Sequence, residues 1–270
     1  MQFQIATKFT FSVLEYMKNI RIIPLLNIKG QNVVKPVHTE ALRVVGNPKE
    51  FARRYYEEGA DELIYLDIVA SLYQRNLDFD LLKEVADGIF IPITVGGGIR
   101  TIRDINNALR AGADKVAVNT HAIHYPEFIS EAAKEFGSQC VVLFIEAKKQ
   151  PDGRYECYTD GGRERSGVDA ALWARRGINL GAGEILVSSI DRDGTRRGYD
   201  VGLVRQVAEF APIPVIAHGG AGNFESVEEV IVKGRADAVS ASSLFHYQDC
   251  TIGSLKEYLR KQDIEVRRNF

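Results

Sequence analysis

Two glycine-rich turns, VGGGIR (95–100) and HGGAG (218–222), recur along a chain of 270 residues. Each is followed by a small polar pair, Asn119-Thr120 after the first and Ser242-Ser243 after the second. Glycines such as Gly98 and Gly220 let backbone N–H groups approach an anion closely, and short amides and hydroxyls add donors. Two such sets suit a ligand with a phosphate at each end. The plainer alternative is that the glycines only turn a strand into a helix. A third polar turn, SSIDRDGT (188–195), brings Asp191 and Asp193 before Gly194. These acids could organise a phosphate loop, orient hydroxyls or fix the turn itself. Three further residues end apolar runs: Asn27 in IPLLN, Glu146 in VVLFIE and His218 in PVIAH. Glu146 and His218 can carry protons; Asn27 can hold a substrate but cannot ionise. Asp67, ending IYLD, is a weaker candidate of the same kind.

The elements that must position these groups are short β-rich runs at 20–26, 62–68, 89–95, 115–119, 140–145, 184–190, 213–217 and 236–241. Helical patterns such as NPKEFARRYYEEG and TIRDINNALRAG separate most of them. Such alternation predicts parallel strands with helical crossovers. GADELI (59–64) matches GAGEIL (181–186), and IPITVGGGIR (91–100) matches IPVIAHGGAG (213–222), both at an offset of 122. ADKVAVNT (113–120) matches ADAVSASS (236–243) at 123. Two four-stranded halves with open edges close together into an eight-stranded (β/α)8 TIM barrel. In that fold the candidate residues gather at the C-terminal ends of the strands. The long gap between Glu146 and Glu184 contains KKQPDGRYECYTDGGRERSG, a polar excursion expected to form a loop or small hairpin. We expect residues 1–17 to be an extension, or a start assigned too early, and 18–270 to be one barrel domain.

Composition narrows the function classes. The formal net charge is −2, which gives no general electrostatic case for nucleic acid or an anionic membrane. No apolar run reaches the roughly 18–20 residues of a membrane span. Cys140, Cys157 and Cys250 form neither C-x-x-C nor a metal-ligand spacing, and an odd, scattered set fits a reducing, cytoplasmic setting. No metal or cofactor is expected.

The segments RIIPLLNIKG…VVK, GADELIYLDI, FIPITVGGGIR, RAGADKVAVNT, FGSQCVV, GAGEILVSSIDRDGT..GYD, IPVIAHGGAG and LFHY together cover roughly residues 20–260. On these the chain resembles the cyclase subunit family of imidazole glycerol phosphate synthase, of histidine biosynthesis. The resemblance implies a glutaminase partner, in a heterodimer, at the N-terminal face of the barrel. It implies ammonia passing through the barrel to a ribonucleotide with two phosphates at the C-terminal face. Arg21, Glu62, Lys115 and Glu184 match the family's salt-bridge gate for ammonia, and Asp114 matches a position facing the glutaminase. The alternative for the four charges is a ring that only closes the barrel.

The resemblance also has breaks. The family's two acid/base aspartates fall on Asn27 and Glu146, and His218 stands where serine is usual. Loss of a general acid or base typically costs roughly 10² to 10⁴-fold, and misplacement by about 1 Å can cost a hundredfold. On this ground the sequence favours a diverged paralogue passing ammonia to another acceptor, such as a sugar nucleotide. A true cyclase using Glu146 and His218 comes second, and a non-catalytic conduit or glutaminase activator third. Phe144, two residues before Glu146, is expected to point inward with it and to narrow a path or reshape the pocket.

Overall fold

The computed structural model describes residues 19–38 and 40–268. The predicted extension 1–17 lies outside them. The first half runs β1 (Arg21–Lys29), β2 (Asn32–Val37), β3 (Glu40–Gly46), α1 (Pro48–Glu57), β4 (Leu63–Asp67), α2 (Phe79–Ala86), β5 (Ile93–Gly96), α3 (Ile102–Arg110) and β6 (Lys115–Val118). After α4 (Thr120–His124) and α5 (Glu127–Phe136) the second half begins with β7 (Val141–Lys149), β8 (Tyr155–Thr159), β9 (Glu164–Asp169) and α6 (Ala170–Asn179). It continues with β10 (Glu184–Ser189), α7 (Val201–Ala208), β11 (Val215–His218), α8 (Phe224–Val232), β12 (Ala238–Ala241), α9 (Ser243–His246) and α10 (Ile252–Lys261).

Strands β1, β4, β5, β6, β7, β10, β11 and β12 pair in that order, all parallel, and β12 pairs with β1 to close the barrel. The fold is the (β/α)8 barrel that the alternation predicts. Helices place their apolar stripe against the outside of the strands; on α3, Ile105 and Ala108 are buried while a Thr101–Asp104 capping box holds the first turn. Inside the barrel Ile23, Leu25, Ile64, Leu66, Ala117, Val142, Leu186, Ile216 and Ala238 form a separate apolar cluster.

The duplication extends beyond the matched motifs. The first strand of each half runs into an antiparallel hairpin, β1 into β2–β3 and β7 into β8–β9. The second is the predicted excursion. The first went unassigned in the sequence, where Pro36 interrupts the run NVVKPV. Two predicted strands are shorter than their apolar runs. Pro92 and Pro214 stand before β5 and β11, and without an N–H they contribute only carbonyls, which accept from Leu63 and Ile185 at 2.9 and 3.0 Å. Ahead of Pro92, Phe90 is 84% exposed.

A finer repeat lies at the N-terminal ends. The residue just before an even-numbered barrel strand donates its N–H to the carbonyl near the start of the preceding strand: Asp61 to Ile22, Asp114 to Ile93, Gly183 to Val141 and Asp237 to Val215. In three of the four the aspartate also accepts the N–H of that residue, each at 2.8 Å. The fourth cannot, because a Cβ on Gly183 would lie 2.2 Å from the Ser138 carbonyl oxygen. The last helix joins this layer: buried Lys256 on α10 donates to Asp61 and to the Gly59 carbonyl, both at 2.7 Å.

Candidate functional site

At the N-terminal end of the barrel four charges close a ring. Arg21 donates to Glu62 at 2.6 Å and to Glu184 at 2.5 Å, and Lys115 donates to both glutamates at 2.9 Å. Each acid therefore has two cations and each cation two acids, which offsets the desolvation of a half-buried place. Burial opposes the charge of Arg21, yet Glu184 and Glu62 hold its guanidinium above the ordinary range. The two glutamates are equivalent in the two halves. The cations are not: Arg21 opens the first barrel strand and Lys115 the fourth. Asp114 is exposed at this end, and its carboxylate holds the Ile93 N–H.

At the opposite end a cavity of about 550 Å3 opens. Its inner part is lined by Asn27, Glu146, His218, Ser188 and Asp193, its outer part by Gly97, Gly98, Arg100, Asn119, Thr120, His121 and Arg163. Phe144 packs against the inner apolar cluster and also lines the cavity, so its ring forms part of the floor.

Asn27 and Glu146 occupy equivalent places. Each lies where its strand meets its hairpin, Asn27 opposite Val34 and Glu146 opposite Tyr158. Burial, which disfavours the charged form, pushes the Glu146 carboxyl up to about 7, with Asp193 adding to the rise. A hydrogen bond from the Asn119 amide at 2.8 Å and the charge of Arg163 oppose the shift. The carboxyl is therefore poised to take and return protons at neutral pH. His218 is buried with Nδ1 3.2 Å from the Ser240 hydroxyl, and burial lowers its pKa to about 4. It is neutral at pH 7 and suits hydrogen bonding better than proton donation.

The glycines answer first to their neighbours. Gly98 and Gly220 have φ of +72° and +102°. A Cβ would come within 2.5 Å of the Arg75 carbonyl oxygen at Gly98 and 2.3 Å of the Gly198 carbonyl oxygen at Gly220. Both turns thus admit the loop of the preceding strand, so glycine alone does not argue for a ligand. The groups around them do. Thr120 and Asn119 line the cavity; the Asn119 amide donates to Glu146 and to the Tyr158 carbonyl, so the Thr120 hydroxyl, which only accepts from the Asp160 N–H, is the side-chain donor left for an anion. In the second half, Gly194, Gly220, Ser242 and Ser243 line a much narrower recess with Lys35 and Asp193, which pair at 3.3 Å. Asp191 lies outside both linings and accepts the Lys149 N–H at 2.8 Å. Asp67 lines the main cavity but is committed to Arg75 at 2.7 Å. Lining residues without a role in the sequence include Lys35, Arg100, His121 and Arg163. A lone lysine inside the apolar run NVVKPV was a usable signal. The other three sit in polar stretches where nothing in residue type sets them apart.

The comparisons give a family to this (β/α)8 barrel with its polar mouth, two repeated turns and charged ring at the base. The sequence profile described as "Histidine biosynthesis protein" matches residues 21–251. The "Imidazole glycerol phosphate synthase subunit HisF" of Legionella pneumophila is 58% identical over 209 residues, covering 77% of this chain and 99% of that protein. The protein of the same name from Alkaliphilus metalliredigens is 46% identical over 248 residues, 92% of this chain and 98% of that one. The chain belongs to the histidine biosynthesis protein family. Both relatives carry the name of the cyclase enzyme that the sequence placed second, and neither name points to another acceptor. The expected paralogue with a sugar-nucleotide acceptor therefore lacks support, and the cyclase subunit fits better. Among the described residues no helix is long and apolar enough to cross a membrane.

Proposed function

We propose that this chain is the cyclase subunit of imidazole glycerol phosphate synthase. It uses ammonia, delivered by a separate glutaminase subunit, on an aminoimidazole carboxamide ribonucleotide with two phosphates. The observation that carries the proposal is Glu146, a buried carboxyl with a pKa of about 7 in the cavity at the C-terminal strand ends. Its proton affinity removes the main objection to cyclase chemistry, because one such group can act as base in one step and acid in the next. Asn27 then orients the substrate by hydrogen bonds, and neutral His218 does the same from the other side. Gly98, the backbone of Asn119 and Thr120 hold one phosphate; Gly194, Gly220, Ser242 and Ser243 hold the other, with Lys35 as countercharge. The ring of Arg21, Glu62, Lys115 and Glu184 admits ammonia from the glutaminase, which docks at the end where Asp114 is exposed.

The test is turnover of the ribonucleotide by the purified chain with an ammonium salt, without glutaminase. A rate of the order of 1 s⁻¹ or more, within the common enzyme range, supports the cyclase. Turnover at background would overturn it and direct attention to another acceptor.

A further inference from the structure

The cavity at the first-half glycine turn is lined by Arg100, His121 and Arg163 as well as by Thr120. Arg100 follows the first glycine turn, and its guanidinium donates to the Asn76 side chain at 2.6 Å. Arg163 comes from the turn between β8 and β9, where Asp160, Gly161 and Gly162 all have positive φ. That turn is pinned over the mouth of the cavity: the Asp160 N–H donates to the Thr120 hydroxyl at 3.0 Å, and Arg163 donates to the Asp160 carbonyl at 3.1 Å. Its charge reaches Glu146. His121 directly follows Thr120, and its ring lies against Phe128 and Tyr125 at centroid distances of 4.8 and 5.0 Å. All three residues line the same cavity as Gly97, Gly98 and Thr120. The second half has no counterpart to the histidine, since the residue after Ser243 is buried Leu244.

We infer that Arg100, His121 and Arg163 form a cationic clamp on the dianionic end of the ligand at the first-half turn, with His121 taking up a proton as the anion binds. The inference rests on the reading that this turn takes a phosphate, and goes beyond it in assigning the side chains that grip the anion. The ionisable groups around His121 are Arg100 and Asp104 before and on α3, His124 and Tyr125 beside it on and after α4, Glu131 on α5, and Asp160 and Arg163 on the hairpin turn. Burial lowers the pKa of the ring in the ligand-free protein, Arg100 and His124 lower it further, and Asp104 and Glu131 oppose them. A dianion placed between Arg100 and Arg163 reverses that balance, because it favours the charged imidazole. The clamp is therefore partly disarmed until the anion arrives.

Inorganic sulfate is the probe, since unlike phosphate it stays a dianion across the range studied. The full chain contains five histidines, so the His121 ring signal can be assigned in NMR spectra by its loss in His121→Ala. Saturating sulfate should raise the His121 midpoint by roughly one unit, equivalent to about tenfold tighter sulfate binding by the protonated form. Sulfate affinity should rise as pH falls from 8 to 6, and His121→Ala should flatten that dependence. Arg163→Ala should weaken sulfate binding several-fold at every pH while leaving the ligand-free His121 signal folded and titrating. An unmoved His121 midpoint in sulfate, or unchanged affinity in Arg163→Ala, overturns the clamp. Thr120→Asp separates the two levels. If it abolishes sulfate binding while His121→Ala and Arg163→Ala change nothing, the turn binds the anion and only the clamp is wrong. If the parent chain binds neither sulfate nor phosphate, both readings fall together.

Discussion

The two halves of this barrel share their strands, hairpins and glycine turns, yet their mouths differ. In the first half the turn at Gly97-Gly98 opens into the wide outer cavity, rimmed by His121 and two arginines. In the second the turn at Gly219-Gly220 closes on a narrow recess where the cation, Lys35, lies beside Asp193. The strands at the hairpin junctions differ too, with Asn27 in one half and Glu146 in the other. The scaffold is thus present twice, while the ionisable carboxyl at the hairpin junction is on one half only. If both turns take an anion as proposed, a ligand with two similar ends meets two unlike sites, which fixes its direction in the cavity.

The largest expected effect comes from removing the one ionisable member of the junction pair. Glu146→Gln should lower ammonium-dependent kcat by roughly 10² to 10⁴-fold, and Asn27→Ala, which removes only hydrogen bonds, by less. Equal losses would mean that the halves contribute alike and that proton transfer is shared by another group. In the parent, kcat should change through a midpoint near pH 7, the value at which Glu146 titrates.

The same carboxyl carries a cost to the fold. Its folded pKa of about 7 lies above the ordinary value of 4.5, and burial is the main cause. Between these two values the folded chain keeps a proton that the unfolded chain releases, so stability falls as pH rises through that window. The loss is complete above about pH 7, at up to about 3 kcal/mol from roughly 1.4 kcal/mol per unit. Glu146→Gln should be more stable than the parent at pH 8 and equal to it at pH 4. Denaturant melts at the two pH values check this, and the same melts of Asn27→Asp show whether the first half would bear a comparable burden.

Anion binding sharpens the contrast between the mouths. A ligand at a hundredfold excess over its dissociation constant stabilises by about 2.7 kcal/mol. Thr120→Asp and Ser243→Asp should each remove the contribution of one end, so that both variants show a smaller melting shift with a bisphosphorylated ligand. An unchanged shift in both would remove the phosphate assignment from both turns.

The smallest effects belong to the N-terminal layer, where Asp61 has Gly183 as its counterpart in the other half. Asp61 holds the Ile22 N–H and pairs with buried Lys256, so Asp61→Asn should cost about 2 kcal/mol by weakening a hydrogen bond to a charged group. Exposed Asp114 holds only the Ile93 N–H among its described hydrogen bonds, and Asp114→Asn should cost about 1 kcal/mol. This also refines the use of Asp114 in docking. Asp114→Lys disturbs the strand start as well as the charge facing a partner, so calorimetry with a glutaminase needs Asp114→Asn as its control. Docking that survives Asp114→Lys would leave the charged ring as a structural closure.

Much of this arrangement was legible in residue order. Alternating runs and repeated motifs give the barrel, and the ends of those runs give Asn27, Glu146, His218 and the four charged ring residues. Strand limits were less legible, because an apolar run does not reveal that Pro92 or Pro214 will interrupt its ladder. The proton affinity of Glu146 was not legible at all. It depends on burial, Asn119 and Arg163, groups brought together only by the fold, and it reverses the inference drawn from Asn27. Asp191 shows the opposite error of sight: its motif suggests the cavity, but the hairpin next to it takes its carboxylate.

The aspartate contacts at the strand starts bear on the order in which the chain acquires structure. Ile93 and Asp114 are 21 residues apart, and Val215 and Asp237 are 22 apart. Loop closure over such distances is entropically cheap, so two-strand units can zip locally before the rest of the sheet exists. The contact between Asp61 and Lys256 spans 195 residues, and the pairing of β1 with β12 crosses the same seam. These long-range contacts belong to a late step, when the barrel shuts and a lysine must leave water. In native-state hydrogen exchange the amides of Ile93 and Val215 should then stay protected through openings that expose Ile22 and the β1–β12 ladder. The seam, where the first and last barrel strands meet, becomes the first place at which the barrel comes apart.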